Sequence, residues 1–290
     1  MWAQSSFKGI ATTGILYIVP TPIGNLEDMT VRAVKILQEV DLIAAEDTRV
    51  TRKLCNYFNI DTPVSSYHEH NKIISGNKLI SMLLEGKNIA IVSDAGTPGI
   101  SDPGYEIVRD AVNEQIHVVS LPGCNAAITA LSASGLPTDN FIFFGFLSRN
   151  KKDKRIELES LKTAKQTIIL YESPHRLKET LSLMCEIFGN RRVTLARELT
   201  KIYEEYIRGT ISEAIEYLAK ESIKGEFCLI IEGNTSEEPH EDYWWEVLTV
   251  IEHVKHYQDK EQLSNKDAIK KVAMDRDIPK REVYSEYHGL

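Results

Sequence analysis

From residue 15 onward, short β-branched apolar runs alternate with amphipathic helical stretches, and this alternation constrains the chain more than any other feature. Runs at 16–19, 42–45, 89–93 and 117–121 are separated by helical patterns at 30–40, 48–58, 78–85 and 105–113. Strands that are each followed by a helix must return to one sheet in the same direction, so the pattern predicts an α/β domain with a largely parallel sheet. Such a sheet gathers its loops, and with them its ligands, at the carboxyl ends of the strands. Thr30 is placed to cap one helix, and Asp102-Pro103 opens another with proline in the first turn.

A second set of strands follows at 141–146, 167–171, 192–197, 204–209 and 226–232, with helices opening at Ser173-Pro174 and Thr210. It predicts a second α/β domain, with helices more widely spaced and some antiparallel pairing. Between the two sets lie Pro122-Gly123, a small-residue helix at 125–134 that bridges them, and a Gly135-Leu136-Pro137 stop. The organisation read from these signals is a disordered leader at 1–13, α/β domains at 14–122 and 123–233, an acidic linker at 234–242, and a helix-turn-helix-like module at 243–290. A length of 290 residues suits two domains and an appendage.

The net charge is −8, which weighs against a nucleic-acid partner only for the surface as a whole, since a basic patch can sit on an acidic body. The clear basic run is Lys151, Lys152, Lys154 and Arg155, most simply a solvated helix face. Cys55, Cys124, Cys185 and Cys228 are scattered without any C-x-x-C, a pattern of reduced thiols in a cytoplasmic protein with no metal site. The apolar runs are far too short to span a bilayer, so no membrane partner is expected.

The segment richest in chemical information is Ser93-Asp94-Ala95-Gly96-Thr97-Pro98-Gly99-Ile100-Ser101-Asp102-Pro103-Gly104. It follows a strand, precedes a helix, and lets a ligand approach its backbone. It has neither the lysine of a P-loop nor G-x-G-x-x-G spacing, and Asp94 and Asp102 would repel a phosphate. A cationic ligand fits better, and S-adenosylmethionine carries both a sulfonium and an amino group. A second rigid loop, Pro20-Thr21-Pro22-Ile23-Gly24-Asn25-Leu26, follows the first strand and would form the facing wall of one cleft. Three further clusters sit where strands meet loops: Ala45-Glu46-Asp47-Thr48-Arg49 with Arg52, Tyr171-Glu172-Ser173-Pro174-His175-Arg176, and Ala196-Arg197-Glu198-Leu199-Thr200-Lys201. Acidic residues at a helix start also serve as plain dipole complements, and a lone His175 in such a place more often caps or packs than acts as a base.

Taken in order, these strings and Ser134-Gly135-Leu136-Pro137 resemble the tetrapyrrole-methylase-like, class III methyltransferases, from about Gly14 to Gly233. The chain is most similar to the members that methylate the ribose 2'-hydroxyl of a cytidine in 16S rRNA. The resemblance implies two α/β domains with S-adenosylmethionine in the cleft between them, a homodimer, and 16S rRNA or the small ribosomal subunit as partner. It places Pro22, Ala95, Gly96, Thr97, Ile100, Asn125, Ala126, Tyr171 and Ala196 around the cofactor. The chain departs from the family pattern at Cys124-Asn125, where Pro-Cys usually follows the Pro-Gly.

Methyl transfer from a sulfonium is an in-line displacement with a neutral leaving group, so alignment is the main demand and a base the second. Asp94, Glu172, His175 and Glu198 are the candidate bases. Arg49, Arg52, Lys151, Lys152 and Arg176 are candidate phosphate contacts, and Tyr67 and His68 candidate stacking partners for an unpaired base. Two other readings compete: a tetrapyrrole C-methyltransferase of the same fold, and a non-catalytic RNA-binding ribosome-assembly factor.

Overall fold

The computed structural model describes residues 1–5, 13–69, 72–220, 224–235, 244, 245 and 247–289. Most of the expected leader and most of the expected acidic linker (6–12 and 236–242) lie outside them. The chain divides into two compact units, Met1–Asn234 and Thr235–Leu290.

The first unit opens with strands β1 (Ile15–Ile18), β2 (Leu42–Ala45), β3 (Val64–Ser66), β4 (Ile89–Val92) and β5 (His117–Ser120). Between and after them run helices α1 (Val31–Glu39), α2 (Thr48–Tyr57), α3 (Lys72–Leu84), α4 (Tyr105–Asn113) and α5 (Ala126–Ser132). The five strands pair in the order β3-β2-β4-β1-β5, every pair parallel. Both faces are covered, one by α1 and α2 through Leu37 and Cys55, the other by α3 and α4 through Leu79, Leu83, Ile107 and Ala111. That double burial is why β4 reads Ile-Ala-Ile-Val without alternation. Gln4 exchanges two hydrogen bonds with the Val118 backbone on the open edge of β5, at 2.6 and 3.0 Å.

Two elements differ from the sequence reading. The three-residue edge strand β3 is Val-Ser-Ser, with both serines exposed, so no apolar run announces it. Helix α3 starts at Lys72 rather than 78. Gly76 reads as a breaker in sequence, but here it is buried in mid-helix close to the Tyr67 ring.

The second sheet is built from β6 (Phe141–Phe146), β7 (Thr167–Glu172), β8 (Arg192–Arg197), β9 (Glu205–Thr210) and β10 (Phe227–Ile231), in the order β6-β7-β10-β8-β9. Only β6 and β7 are parallel; the other three pairs are antiparallel. Helices α6 (Lys151–Leu161), α7 (Pro174–Phe188) and α8 (Ile211–Lys220) bury Leu158, Leu181, Met184 and Leu218 against one face. The other face receives α5, whose Ala127, Ala130 and Leu131 pack on Ile169, Ala196, Cys228 and Ile230. The small residues of α5 allow this close approach to the sheet.

The second unit holds α9 (Val250–Glu261), α10 (Asn265–Asp275) and α11 (Lys280–His288) around Val254, Ile269, Val272 and Val283. Thr249 and Glu252 form a reciprocal capping box at the start of α9.

Candidate functional site

Three loops at the carboxyl edge of the first sheet are bonded to one another. The N–H of Thr21 donates to the Gly96 carbonyl and the N–H of Gly96 donates to that of Thr21, both at 2.9 Å. The Thr21 hydroxyl adds a bond to the Ser93 carbonyl at 3.0 Å. The Thr97 hydroxyl donates to the Cys124 carbonyl at 2.9 Å, which brings in the turn before α5. Within loop 93–104, Gly104 has φ +150°, and a Cβ there would lie 2.8 Å from the Gly99 nitrogen, so only glycine closes this loop.

The loops also reach the second sheet. The N–H of Asn25 donates to the Thr200 hydroxyl at 3.0 Å, and a Cβ on Gly24 would meet Lys201 Cγ at 2.5 Å and the Leu199 carbonyl oxygen at 2.9 Å. The Tyr171 hydroxyl accepts the N–H of Ala127 at 3.0 Å, so β7 caps the start of α5. Burial pushes that hydroxyl's pKa well above the ordinary tyrosine range. Phe143 and Phe146 meet the Tyr171 ring edge-on, with centroids 5.2 and 5.4 Å away.

This framework encloses a cleft of about 420 Å³. Of the residues placed around a cofactor from sequence, Ala95, Gly96, Thr97, Asn125, Ala126, Tyr171 and Ala196 all line it. A second groove of about 440 Å³ lies on the other side of the loop at 21–26, against α2, and Pro22 lines that one. The two share Ile23, Ala95, Lys201 and Glu226. Ile100 lines neither and is 43% exposed.

The four candidate bases separate. Glu172 and Glu198 line the cleft, Asp94 lines the second groove, and His175 is exposed in the first turn of α7, lining neither. Glu172 is buried and its carboxylate is fully engaged, accepting from the Ser173 N–H at 2.8 Å and the Thr180 hydroxyl at 2.7 Å, with Arg176 at 3.4 Å. Glu198 accepts from the Glu226 N–H at 3.0 Å and from Lys201 at 3.1 Å. Burial raises its pKa, but those two donors outweigh burial and hold it below the ordinary range. Asp94 accepts the N–H of Asp47 at 3.0 Å and is otherwise exposed.

Asp102 lines the cleft and was not among the candidates. Burial, then the charges of Glu46 and Asp94, push its pKa up to about 6 against one bond from Ser93. Glu46 is raised by the same two effects, burial first and Asp94 next. Their convergence was hidden because Glu46 follows β2 while Asp94 and Asp102 follow β4, and only the pairing of β2 with β4 brings them together. Among the described residues, no group of three or more His, Cys, Asp or Glu could hold a metal ion, and all four cysteines are free thiols. Among the described residues, no helix is long and apolar enough to cross a membrane.

The candidate RNA contacts also divide. Arg49 and Arg52 are exposed on α2, although Arg49 is paired with Asp47 at 2.6 Å. Lys151 and Lys152 are exposed on the first turn of α6. Arg176 turns inward and donates to the carbonyls of Leu147 and Ser148, both at 2.8 Å, besides facing Glu172. Lys154, counted in the same basic run, is 2% exposed and bonds Thr180 at 3.4 Å, so that run is not a uniformly solvated face. Tyr67 is packed in the core beneath α3 with its hydroxyl pKa pushed up by burial to about 12, and offers no ring to a base.

Comparison with known proteins bears on this cleft. The family described as Tetrapyrrole (Corrin/Porphyrin) Methylases matches residues 15–215. "Ribosomal RNA small subunit methyltransferase I" of Bacillus subtilis is 60% identical over 286 residues, covering 98% of each chain. The protein of the same name from Halalkalibacterium halodurans is 56% identical over 99% of each. Among solved structures, cobalt precorrin-4 methyltransferase superposes with a TM-score of 0.58 at 18% identity, over 75% of this chain and 94% of its own. Diphthine synthase reaches the same TM-score at 11% identity, over 76% and 90%. These two establish a shared fold.

Proposed function

The chain belongs to the tetrapyrrole methylase family, in its ribosomal RNA small subunit methyltransferase I branch, and on that premise we propose that it methylates the 2'-oxygen of a cytidine in 16S rRNA with S-adenosylmethionine as donor. One observation carries the donor assignment. The cleft at the strand ends presents Asp102 and neighbouring carboxylates, and the cation in its lining, Lys201, is already held between Glu198 and Glu226 at 3.1 and 3.5 Å. That lining suits a cationic ligand and not a phosphate. The cofactor supplies an electrophilic methyl group on a sulfonium whose leaving thioether departs neutral.

The residues divide the work. Asp102 and the backbone of residues 95–97 hold the charged end, and the apolar wall of Ala126, Tyr171, Phe146 and Ala196 takes an aromatic ring. The aromatic contacts around Tyr171 and its bond to α5 keep that wall rigid, which supports alignment of the reacting atoms. Among the candidate bases, Asp94 is favoured, because Glu172 has both oxygens filled by internal donors, Glu198 takes two donors on one oxygen and is held below the ordinary carboxylate range, which weakens it as a base, and His175 stands outside. Asp94 lines the second groove beside Ala95, which lines both, and would meet a substrate hydroxyl brought in from that side. Glu172 serves instead to hold the corner of the cleft at Ser173 and Pro174. The protein acts as a homodimer in the cytoplasm, where its substrate, the small subunit or its RNA, is found.

The test is to incubate the purified protein and labelled donor with small subunits and with 16S rRNA from a strain lacking the enzyme, and to map ribose methylation. Label in one cytidine ribose supports the reading. Folded, cofactor-binding protein that labels no RNA, or that labels uroporphyrinogen instead, would falsify it.

A further inference from the structure

The second groove adjoins the cleft proposed to hold the donor. Its walls are the loop at 21–26, with Ile23 and Leu26, and the face of α2 carrying Val50, Leu54 and Tyr57. The Tyr57 ring is 61% exposed, and Phe58 meets it edge-on at 4.9 Å and 81°, which leaves a ring face open to a ligand. Arg52 and Lys53 lie on the same helix, both exposed, and among the described residues neither forms an ion pair, whereas Arg49 is held by Asp47. At the inner end are Asp94 and the residues common to both grooves, Ile23, Ala95, Lys201 and Glu226.

We propose that this groove receives the target nucleotide, turned out of its RNA strand, with its base stacked on Tyr57 and the flanking phosphates on Arg52 and Lys53. The proposal rests on the RNA methylation reading and gives its substrate a place. Unpaired bases are recognised by stacking on aromatic rings, and an enzyme acting on one nucleotide must extrude it from its neighbours. The groove separates an apolar slot from a cationic helix face as a nucleotide separates a neutral base from its phosphates. A macrocycle bearing many carboxylates would instead meet Asp94 and Glu226 inside the slot. The ribose, between base and phosphate, then lies beside the line where the two grooves adjoin.

The experiment titrates the full-length protein into a short single-stranded RNA carrying one pyrrolo-cytidine, whose fluorescence falls on stacking. Wild type and Tyr57→Phe quench it. Tyr57→Ala loses most of the quench, binds the RNA about tenfold more weakly and raises KM with kcat little changed, from the usual weight of one base–aromatic stack. Arg52→Gln and Lys53→Gln each lower the salt dependence of binding by about one ion. Affinity for S-adenosylmethionine stays at the wild-type value in all four, which shows that the fold is intact. An unchanged quench in Tyr57→Ala, equal loss in Tyr57→Phe, or displacement of the RNA by uroporphyrin III with matching affinity overturns the proposal. If the wild type methylates no RNA but shows the Tyr57-dependent quench, the groove assignment stands and the methylation reading falls. If Tyr57→Ala methylates RNA with an unaltered KM, the methylation reading stands and the groove assignment falls.

Discussion

A carboxyl group that stays protonated up to about pH 6 responds to a cation differently from one in water, and Asp102 is such a group in the lining of the cleft. Its pKa is raised above the unfolded value, so its contribution to stability is fully present below the unfolded pKa and lost as pH rises through about 6, when it ionises beside Glu46 and Asp94. A bound cation reverses that penalty. Affinity for S-adenosylmethionine should therefore fall by up to about tenfold per pH unit below pH 6. Calorimetric titration from pH 5 to 8 should show this slope in the wild type and a flat, weaker profile in Asp102→Asn, while the apo variant melts higher than the apo wild type at pH 8. Gly24 makes a separate demand. A methyl group there enters the space of Lys201 and the Leu199 carbonyl, and backbone must shift to admit it. Gly24→Ala should cost about 1–3 kcal/mol in urea unfolding and weaken donor binding, since Ile23 and Lys201 line the cleft. Asp102 was legible from sequence as a residue hostile to phosphate. Its raised pKa was not, because that follows from burial and from a glutamate on another strand.

At the scale of elements, α6 shows how one basic run serves two purposes. Lys151 is solvated and pairs with Glu179 at 3.3 Å, whereas Lys154, one turn on, is buried and joins Thr180 and through it Glu172. The helix therefore ties the corner of the cleft to its own inner face. Lys154→Met should destabilise the protein by about 1–3 kcal/mol, the usual cost of breaking a buried polar network, and raise KM for the donor. Lys151→Met, at an exposed pair, should fall within about 0.5 kcal/mol. Urea unfolding of both variants decides the comparison. The element pattern itself was largely readable, because strands with apolar runs such as β4 and β10 announce themselves. The polar edge strand β3 and the glycine-containing start of α3 were not, because tertiary contacts rather than local propensity hold them.

For the molecule as a whole, the two units differ in what acid does to them. His253 in the second unit is buried against Trp244, Trp245 and Tyr257, receives a hydrogen bond from Arg276 at 3.2 Å and faces Asp275 at 3.3 Å. Burial, then the charge of Arg276, lowers its pKa to about 4. The folded histidine binds fewer protons than the unfolded one, so the stability it contributes is present above about pH 6.5 and is lost as pH falls towards 4. Trp244 and Trp245 belong to the second unit and Trp2 to the first. Tryptophan fluorescence of wild type should change between pH 6.5 and 4, with the change abolished in His253→Gln, while far-UV ellipticity, dominated by the larger unit, holds. Simultaneous loss of both signals would show instead that the two units unfold together.

The sequence by itself determined the α/β class, the order of the elements, the family, and much of the lining of the cleft, because each is carried by local patterns: apolar runs, loop glycines and motifs in linear order. Only the tertiary structure decided which charged groups are free to act. Glu172 and Arg176 look as available in sequence as Asp94 and Arg52, yet the fold commits the first two to Thr180, Ser173 and the carbonyls of residues 147 and 148. Burial and partners are set by residues distant in the chain, and it is these that govern charge state and availability.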